Sequence, residues 1–195
     1  KDGYKPDLVV FSGDLVQSGD DPNSFNSART AFIDPLIRLT NISPTHFIIA
    51  PGNHDISRDS VRKNKHIDVG LRETLLSPDS VNSFIDNFGK LSARGDNSLA
   101  RLDNFKSFAK SLPYSYTNLN EFVDTVILNI NDLSVGVAIF NTAWRATGEP
   151  DNFDLRKLLL GERNVDLAAT ALADVDVRLA VMHHPITWLT EFDET

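Results

Sequence analysis

Cysteine is absent from this sequence of 195 residues. The absence excludes disulfide bonds, thiolate zinc sites and cysteine nucleophiles. The sequence also lacks an uncharged apolar run of about 18 residues, the length that a membrane-spanning helix needs, and residues 1–6 lack the apolar run of a signal peptide. We therefore expect a cytoplasmic protein with no membrane partner, in which Asp, Asn, Glu or His holds any metal ion.

Basic residues are also outnumbered, with 19 Lys and Arg against 27 Asp and Glu and a net charge of −8. An acidic chain offers no broad electrostatic surface for nucleic acid, so we do not expect duplex DNA as a partner. Hydrophobic residues make up 41% of the chain, which predicts one core and a single domain over 1–195.

Apolar runs over 8–11, 46–50 and 177–182 predict three buried strands covered on both faces. A helical pattern over 24–39 lies between the first two runs. This order predicts a strand-helix-strand unit in which the two strands are parallel. The sequence therefore indicates an α/β fold.

The middle and the last part of the chain show different patterns. Residues 56–115 are polar with helical patterns near 81–91 and 102–112, and we interpret this segment as a helical insertion or cap. Strand-like segments at 123–130 and 133–140 are joined by Asn131-Asp132, a pair that suits a tight hairpin turn and could begin a second sheet.

Each of the three buried runs ends in side chains that can bind a metal ion. The residues are Gly13-Asp14, Gly52-Asn53-His54-Asp55 and His183-His184. Loops beyond the carboxyl ends of strands form the binding crevice of α/β sheets, and glycine allows the sharp turn that aims the next side chain into it. Carboxylate, amide and imidazole ligands together suit a dinuclear hydrolase.

These strings resemble the second, third and fourth of the five sequence blocks of the calcineurin-like metallophosphoesterases. The resemblance implies a four-layer α-β-β-α sandwich and phosphoester hydrolysis by a metal-bound hydroxide at a dinuclear site. By that resemblance, Asp14 bridges two divalent ions of manganese, iron or zinc, and Asn53 and His183 complete the ligands of one ion. His54 is then the catalytic residue beside the scissile phosphate.

Two blocks of the family have no counterpart here: an Asp-x-His pair before Asp14 and a final Gly-His-x-His. We therefore expect a domain truncated at both ends, part of a larger multidomain protein. We also expect this chain to hold at most one ion well and to hydrolyse slowly. The alternative is a catalytically impaired phosphoesterase-like module with a binding or regulatory role.

Three residues near the predicted ligands have more than one interpretation. In the protein-phosphatase branch of the family, an Asp at the position of Gln17 orients the histidine; Gln17 can accept a hydrogen bond but carries no charge. Asp55 is either the substitute partner of His54 or the cap of a helix beginning near Ser57. His184 belongs either to the substrate pocket and the surroundings of the ligands or to the structural core.

Other patterns leave the substrate open. Asn141 to Trp144 could line the pocket, where the indole would stack on a ring, or pack in the core. The basic group Arg58, Arg62, Lys63 and Lys65 could steer an anion or form a solvated face. We expect a phosphorylated small molecule, a nucleotide or a nucleic-acid end as substrate, and the sequence does not separate monoesters from diesters.

Overall fold

Six β-strands form two sheets in the computed structural model, which describes residues 5–93, 95, 97–113, 117–150 and 152–194. The first sheet pairs β1 (Val9–Phe11) with β2 (Phe47–Ile49) in parallel. The second sheet has the order β3 (Thr117–Asn118), β4 (Val123–Ile130), β5 (Leu133–Phe140) and β6 (Val177–Val181). Within it β4 is antiparallel to β3 and β5, whereas β6 is parallel to β5.

Helices connect and cover the strands. They are α1 (Pro22–Ala28), α2 (Asp34–Thr40), α3 (Arg58–Lys63), α4 (Lys65–Thr74), α5 (Pro78–Ala93), α6 (Asp103–Lys110) and α7 (Glu162–Ala171). The helices predicted near 81–91 and 102–112 are confirmed as α5 and α6. The mixed α/β character predicted from the sequence is confirmed as well.

The predicted hairpin is confirmed at β4 and β5. Asn131 and Asp132 both have positive φ, +49° and +66°, which is the backbone of a tight two-residue turn whose twist matches that of the strands. The hairpin belongs to the second sheet, which begins one strand earlier at β3. β6 joins that sheet beside β5, with Val137 opposite Leu179. The loops after β1 and β2 therefore leave one sheet, and the loop after β6 leaves the other.

The helix predicted over 24–39 is interrupted. A π-helical turn at Arg29–Ile33 separates α1 from α2, and the Asp34 N–H donates to the Arg29 carbonyl five residues earlier. Pro35 explains the interruption, because its ring has no N–H to donate and collides with the carbonyl four residues before it. The wider turn accommodates the proline without ending the helical path.

The prediction that all three strands are buried on both faces is wrong for β1 and β6. β2 is buried throughout, but Val10 of β1 is 40% exposed, and exposed and partly buried residues alternate along most of β6. Each of the three strands pairs with a single neighbour among the described residues, so edge position does not explain the difference. β2 is buried because apolar clusters cover both of its faces, with Phe47 and Ile49 in one cluster and Ile48 in another.

Apolar clusters hold the elements together. Ile48 and Ala50, at and after β2, pack with Val126, Val137 and Val181 of the second sheet. On the other face of the first sheet, Phe47 belongs to the largest cluster, which also contains residues of α1 and α5. Ala168 and Leu172 of the α7 region pack with Val123, Ala138 and Phe140 of β4 and β5.

The segment predicted as a cap, 56–115, shares the main core. Val81, Phe84 and Phe88 of α5 and Phe105 of α6 belong to the same cluster as Trp144. Residues 94, 96, 114 and 115 of that prediction lie outside the described part. No helix in the described ranges is long and apolar enough to cross a membrane.

Candidate metal centre

The turn after β1 brings Asp14 over the end of the sheet. Gly13 has φ +113° and Asp14 has φ +60°, so both residues adopt left-handed backbone. A Cβ at Gly13 would lie 2.5 Å from Nδ1 of His183 and 2.8 Å from Cα of Gly52. Two separate features therefore require glycine at position 13: the left-handed backbone of the turn and the close approach of the neighbouring loops.

Asp55 ties the first two loops together. One carboxylate oxygen accepts from the N–H groups of Asp14 at 2.8 Å and Gly52 at 2.9 Å, and the other accepts from Val16 at 3.1 Å. The side chain is completely buried, and burial raises the pKa of Asp55 to about 6 even though main-chain hydrogen bonds lower it. Asp55 thereby fixes the position of Asp14.

Neither sequence interpretation of Asp55 describes this arrangement. Ser57, not Asp55, caps α3, since its hydroxyl accepts from the Ser60 N–H at 3.1 Å. Both carboxylate oxygens face main-chain N–H groups, and none of their hydrogen bonds goes to His54. The carboxylate of Asp55 satisfies three main-chain N–H groups, and buried N–H groups without an acceptor would destabilise the fold.

Asp14, Asn53 and His183 converge on one point. Nε2 of His183 lies 3.0 Å from Oδ1 of Asn53 and 3.4 Å from Oδ2 of Asp14. The structure thus brings together the three residues that the sequence predicted as metal ligands, from the loops after β1, β2 and β6. His183 and Asn53 are separated by 130 residues in the chain.

The hydrogen bonding of this trio fits a cation. Nδ1 of His183 lies 2.8 Å from the carbonyl oxygen of Ser12, which can only accept, so Nδ1 carries a proton and, in the neutral ring, Nε2 presents a lone pair. That lone pair faces two further oxygen acceptors. Ligands about 2.1 Å from one ion lie about 3.0 to 3.4 Å apart, in agreement with the separations in this site.

A metal ion at this point would take an amide oxygen as its third protein ligand. In the described part of the chain, no group of three His, Cys, Asp or Glu side chains is placed to hold a metal ion. The trio has two such side chains, Asp14 and His183, and Asn53 adds a neutral oxygen. Hard divalent cations accept amide oxygens as ligands, and imidazole favours manganese, iron or zinc.

His54 stands beside the trio with its ring fixed by the main chain. The main-chain N–H of His54 donates to Oδ1 of Asp14 at 2.9 Å. The ring Nδ1 of His54 lies 2.9 Å from the carbonyl oxygen of Gln17. Gln17 therefore contributes its main-chain carbonyl rather than its side chain. Because a carbonyl only accepts, Nδ1 is protonated and Nε2 has a free lone pair in the neutral ring.

His184 is buried next to His183. It is 3% exposed, its Nδ1 lies 2.9 Å from Oγ1 of Thr142, and its ring centroid is 4.6 Å from that of His183. Burial, followed by the proximity of His183, lowers the pKa of His184 to about 3, so the ring is neutral. Thr142 belongs to the run from Asn141 to Trp144, for which the sequence left open a pocket lining or core packing, and its side chain is buried against His184.

Trp144 and the two other histidines, His46 and His66, are not members of the trio. Trp144 is fully buried, and its indole N–H donates to the Leu159 carbonyl at 2.7 Å, so the core interpretation is correct. His46 contacts the Asp7 carbonyl at 2.8 Å, and His66 is exposed. A cavity of about 300 Å³ opens near the ends of β2 and β5, where Pro51 and Asn141 line it.

Comparisons with known proteins identify the family. No curated protein and no solved structure matched the chain significantly. The family model for calcineurin-like phosphoesterases, in contrast, matches residues 1–193, almost the whole sequence. The chain therefore belongs to the calcineurin-like phosphoesterase family.

Proposed function

We propose that this chain hydrolyses phosphoesters with a divalent cation held by Asp14, Asn53 and His183. Members of the family are in general metal-dependent phosphoester hydrolases. The observation that carries the proposal is the convergence of the Asn53 and Asp14 oxygens on Nε2 of His183, at 3.0 and 3.4 Å. When the His183 ring is neutral, its Nε2 and the oxygens of Asn53 and Asp14 are all acceptors with no hydrogen between them. A cation among these three atoms would offset their mutual repulsion.

The metal stoichiometry and type are part of the proposal. Asp14 has a second carboxylate oxygen that could serve a second ion, as the dinuclear mechanism of the family requires. When bound, the cations supply electrostatic stabilisation of the phosphoryl oxygens and lower the pKa of attacking water. Manganese, iron and zinc all suit the mixed oxygen and nitrogen ligands.

His54 is the proposed catalytic residue. The Gln17 carbonyl holds the Nδ1 proton, and the Asp14 carboxylate accepts from the His54 main-chain N–H. Both contacts fix the ring next to the metal ligands. In this position Nε2 can hold a proton for the leaving oxygen or donate a hydrogen bond to the transferring phosphoryl group.

Two further structural statements belong to the same proposal. The clusters that join helices to Phe47, β2 to the second sheet and α7 to β5 support a four-layer α-β-β-α order. Residues 56–115 are proposed to form a helical insertion of the same domain. A cytoplasmic location and a phosphorylated small molecule, nucleotide or nucleic-acid end as substrate stay predictions.

Hydrolysis of 4-nitrophenyl phosphate and bis(4-nitrophenyl) phosphate tests the proposal and separates monoesters from diesters. We expect turnover of at least one ester with Mn²⁺ and none with EDTA. His54→Ala should lower kcat by about 100-fold or more because it removes a proton-transfer group, whereas the exposed control His66→Ala should retain the wild-type rate. Metal binding without turnover of either ester would instead support a binding or regulatory module.

A further inference from the structure

Arg58 lies beside the proposed catalytic histidine. It is the first residue of α3, four positions after His54, and its Nη2 is 3.4 Å from Nδ1 of His54. The rest of the basic group named from the sequence does not share this position: Arg62, for example, is exposed and pairs with Asp59. Arg58 alone in that group contacts a residue of the candidate centre within the described part of the chain.

Within the described residues, the hydrogen-bond contact of the Arg58 guanidinium is the one between Nη2 and Nδ1 of His54. Nδ1 of His54 already carries the proton that faces the Gln17 carbonyl, so it cannot accept from Arg58 as well. Nε of Arg58 is buried without a partner. Unsatisfied buried donors are costly, and a guanidinium with unused donors next to a reaction centre is suited to bind an oxyanion.

Neighbouring carboxylates are engaged elsewhere. Asp59 pairs with Arg62, and Asp20 accepts from the Ser57 hydroxyl and the Asp59 N–H. Deeper in the protein, Asp68 pairs with Arg101 at 2.5 Å. Asp154 accepts from Thr147 and lies 3.8 Å from Arg72. Among the described residues, no carboxylate lies within ion-pair distance of Arg58, since the arginine ion pairs are those of Arg29, Arg62, Arg72, Arg101, Arg156 and Arg163.

Gly148 supports the side chain of Arg58. The glycine has φ +69°, and a Cβ at this position would lie 2.8 Å from Nε and 3.0 Å from Cγ of Arg58. The main chain therefore packs directly against the arginine stem, which limits its freedom to turn into solvent. A donor group held in place before the ligand arrives binds it at a lower entropic cost.

We propose that Arg58 binds a phosphoryl oxygen of the substrate beside His54. This inference rests on the proposed function, because it assumes that the anion entering this centre is a phosphate ester. The planar guanidinium offers two parallel N–H donors to phosphate oxygens, and its charge offsets charge that develops on the transferring group. Arg58 would accordingly contribute to substrate affinity without binding the metal.

Calorimetric titration with inorganic phosphate tests this role, both with Mn²⁺ and with EDTA. Replacing Arg58 with Ala should raise the Kd for phosphate by about 10- to 100-fold, the effect of losing charge-assisted hydrogen bonds. Arg58→Lys should recover part of that affinity, because lysine keeps the charge but lacks the fork. The matched control Arg62→Ala, on the same helix, should stay within about twofold of wild type.

Further readouts separate a binding role from a structural one. Arg58→Ala should leave Mn²⁺ affinity and the unfolding midpoint near wild type while it raises KM for the hydrolysed ester. Equal phosphate affinity in Arg58→Ala and Arg62→Ala, or no phosphate binding by the wild type, would overturn the inference even if hydrolysis is intact. Absence of metal-dependent hydrolysis would overturn the proposed function instead, because the calorimetric comparison requires no turnover.

Discussion

At the scale of single residues, Asp55 organises the candidate centre through hydrogen bonds with the main chain rather than with the side chains of the trio or of His54. Its carboxylate accepts three main-chain hydrogen bonds from the loops after β1 and β2. One of the donors is Asp14, which adopts left-handed backbone that is unfavourable for a residue with a Cβ. The contacts of Asp55 offset that cost and fix a proposed ligand.

Asp55→Ala should lower the free energy of unfolding by about 3 kcal/mol. The substitution leaves three main-chain N–H groups without their acceptor, and each buried unsatisfied donor costs at least about 1 kcal/mol. Urea denaturation measures the difference. The exposed hairpin variant Asp132→Asn serves as control, and a loss no larger than that of the control would show that Asp55 does not hold the loops.

At the scale of elements, α5 joins the 56–115 segment to the rest of the domain. Phe84 stacks on Trp144 with centroids 5.7 Å apart, and it meets Phe122 at 6.2 Å. Phe122 in turn packs edge-on against Phe88 at 5.3 Å. An aromatic cluster of this kind combines large apolar burial with favourable ring geometry.

Phe84→Ala should destabilise the whole protein by about 3 to 5 kcal/mol, because it leaves a cavity among three other rings. Thermal unfolding followed by near-UV and far-UV circular dichroism should show one shifted transition. Leu76→Ala, in the same segment but 67% exposed, should change stability by less than about 0.5 kcal/mol. A separate early transition in Phe84→Ala would mean that the segment is a detachable lid.

At the scale of the molecule, the trio connects the two sheets. Asp14 and Asn53 follow strands of the first sheet, whereas His183 follows β6 of the second. At this point His183 joins the two sheets through its contacts with Ser12, Asn53 and Asp14. A bound cation would add ligand bonds that exist only in the folded state.

Mn²⁺ should therefore stabilise the folded chain. At a free concentration of about 100 times Kd, the gain is about 2.7 kcal/mol, or roughly 5 °C or more in Tm for a chain of this length. Differential scanning calorimetry should show this shift for wild type and for His66→Ala, and its loss in His183→Ala or with EDTA. An equal shift in His183→Ala would place the metal elsewhere.

Local sequence patterns predict much of the fold: the run 46–50 predicts β2, and Asn131-Asp132 predicts the hairpin. The same patterns predict that Asp14, Asn53 and His183 follow strand ends, whereas their role as metal ligands follows from the family resemblance and stays a prediction. These predictions succeed because apolar runs, turn residues and glycine act within a few neighbouring residues. Pro35 is a local signal of the same kind, because its missing N–H accounts for the π-helical turn between α1 and α2.

Long-range packing decided the rest. The pairing of β6 with β5, the contact of the Gln17 carbonyl with His54, and the hydrogen bonds from Asp14 and Val16 to Asp55 all join segments far apart in the chain. His183 meets Ser12 across 171 residues, and no local pattern specifies such an encounter. A sequence determines which side chains are available at each strand end, whereas burial and hydrogen-bond satisfaction across the assembled sheets determine which of them meet.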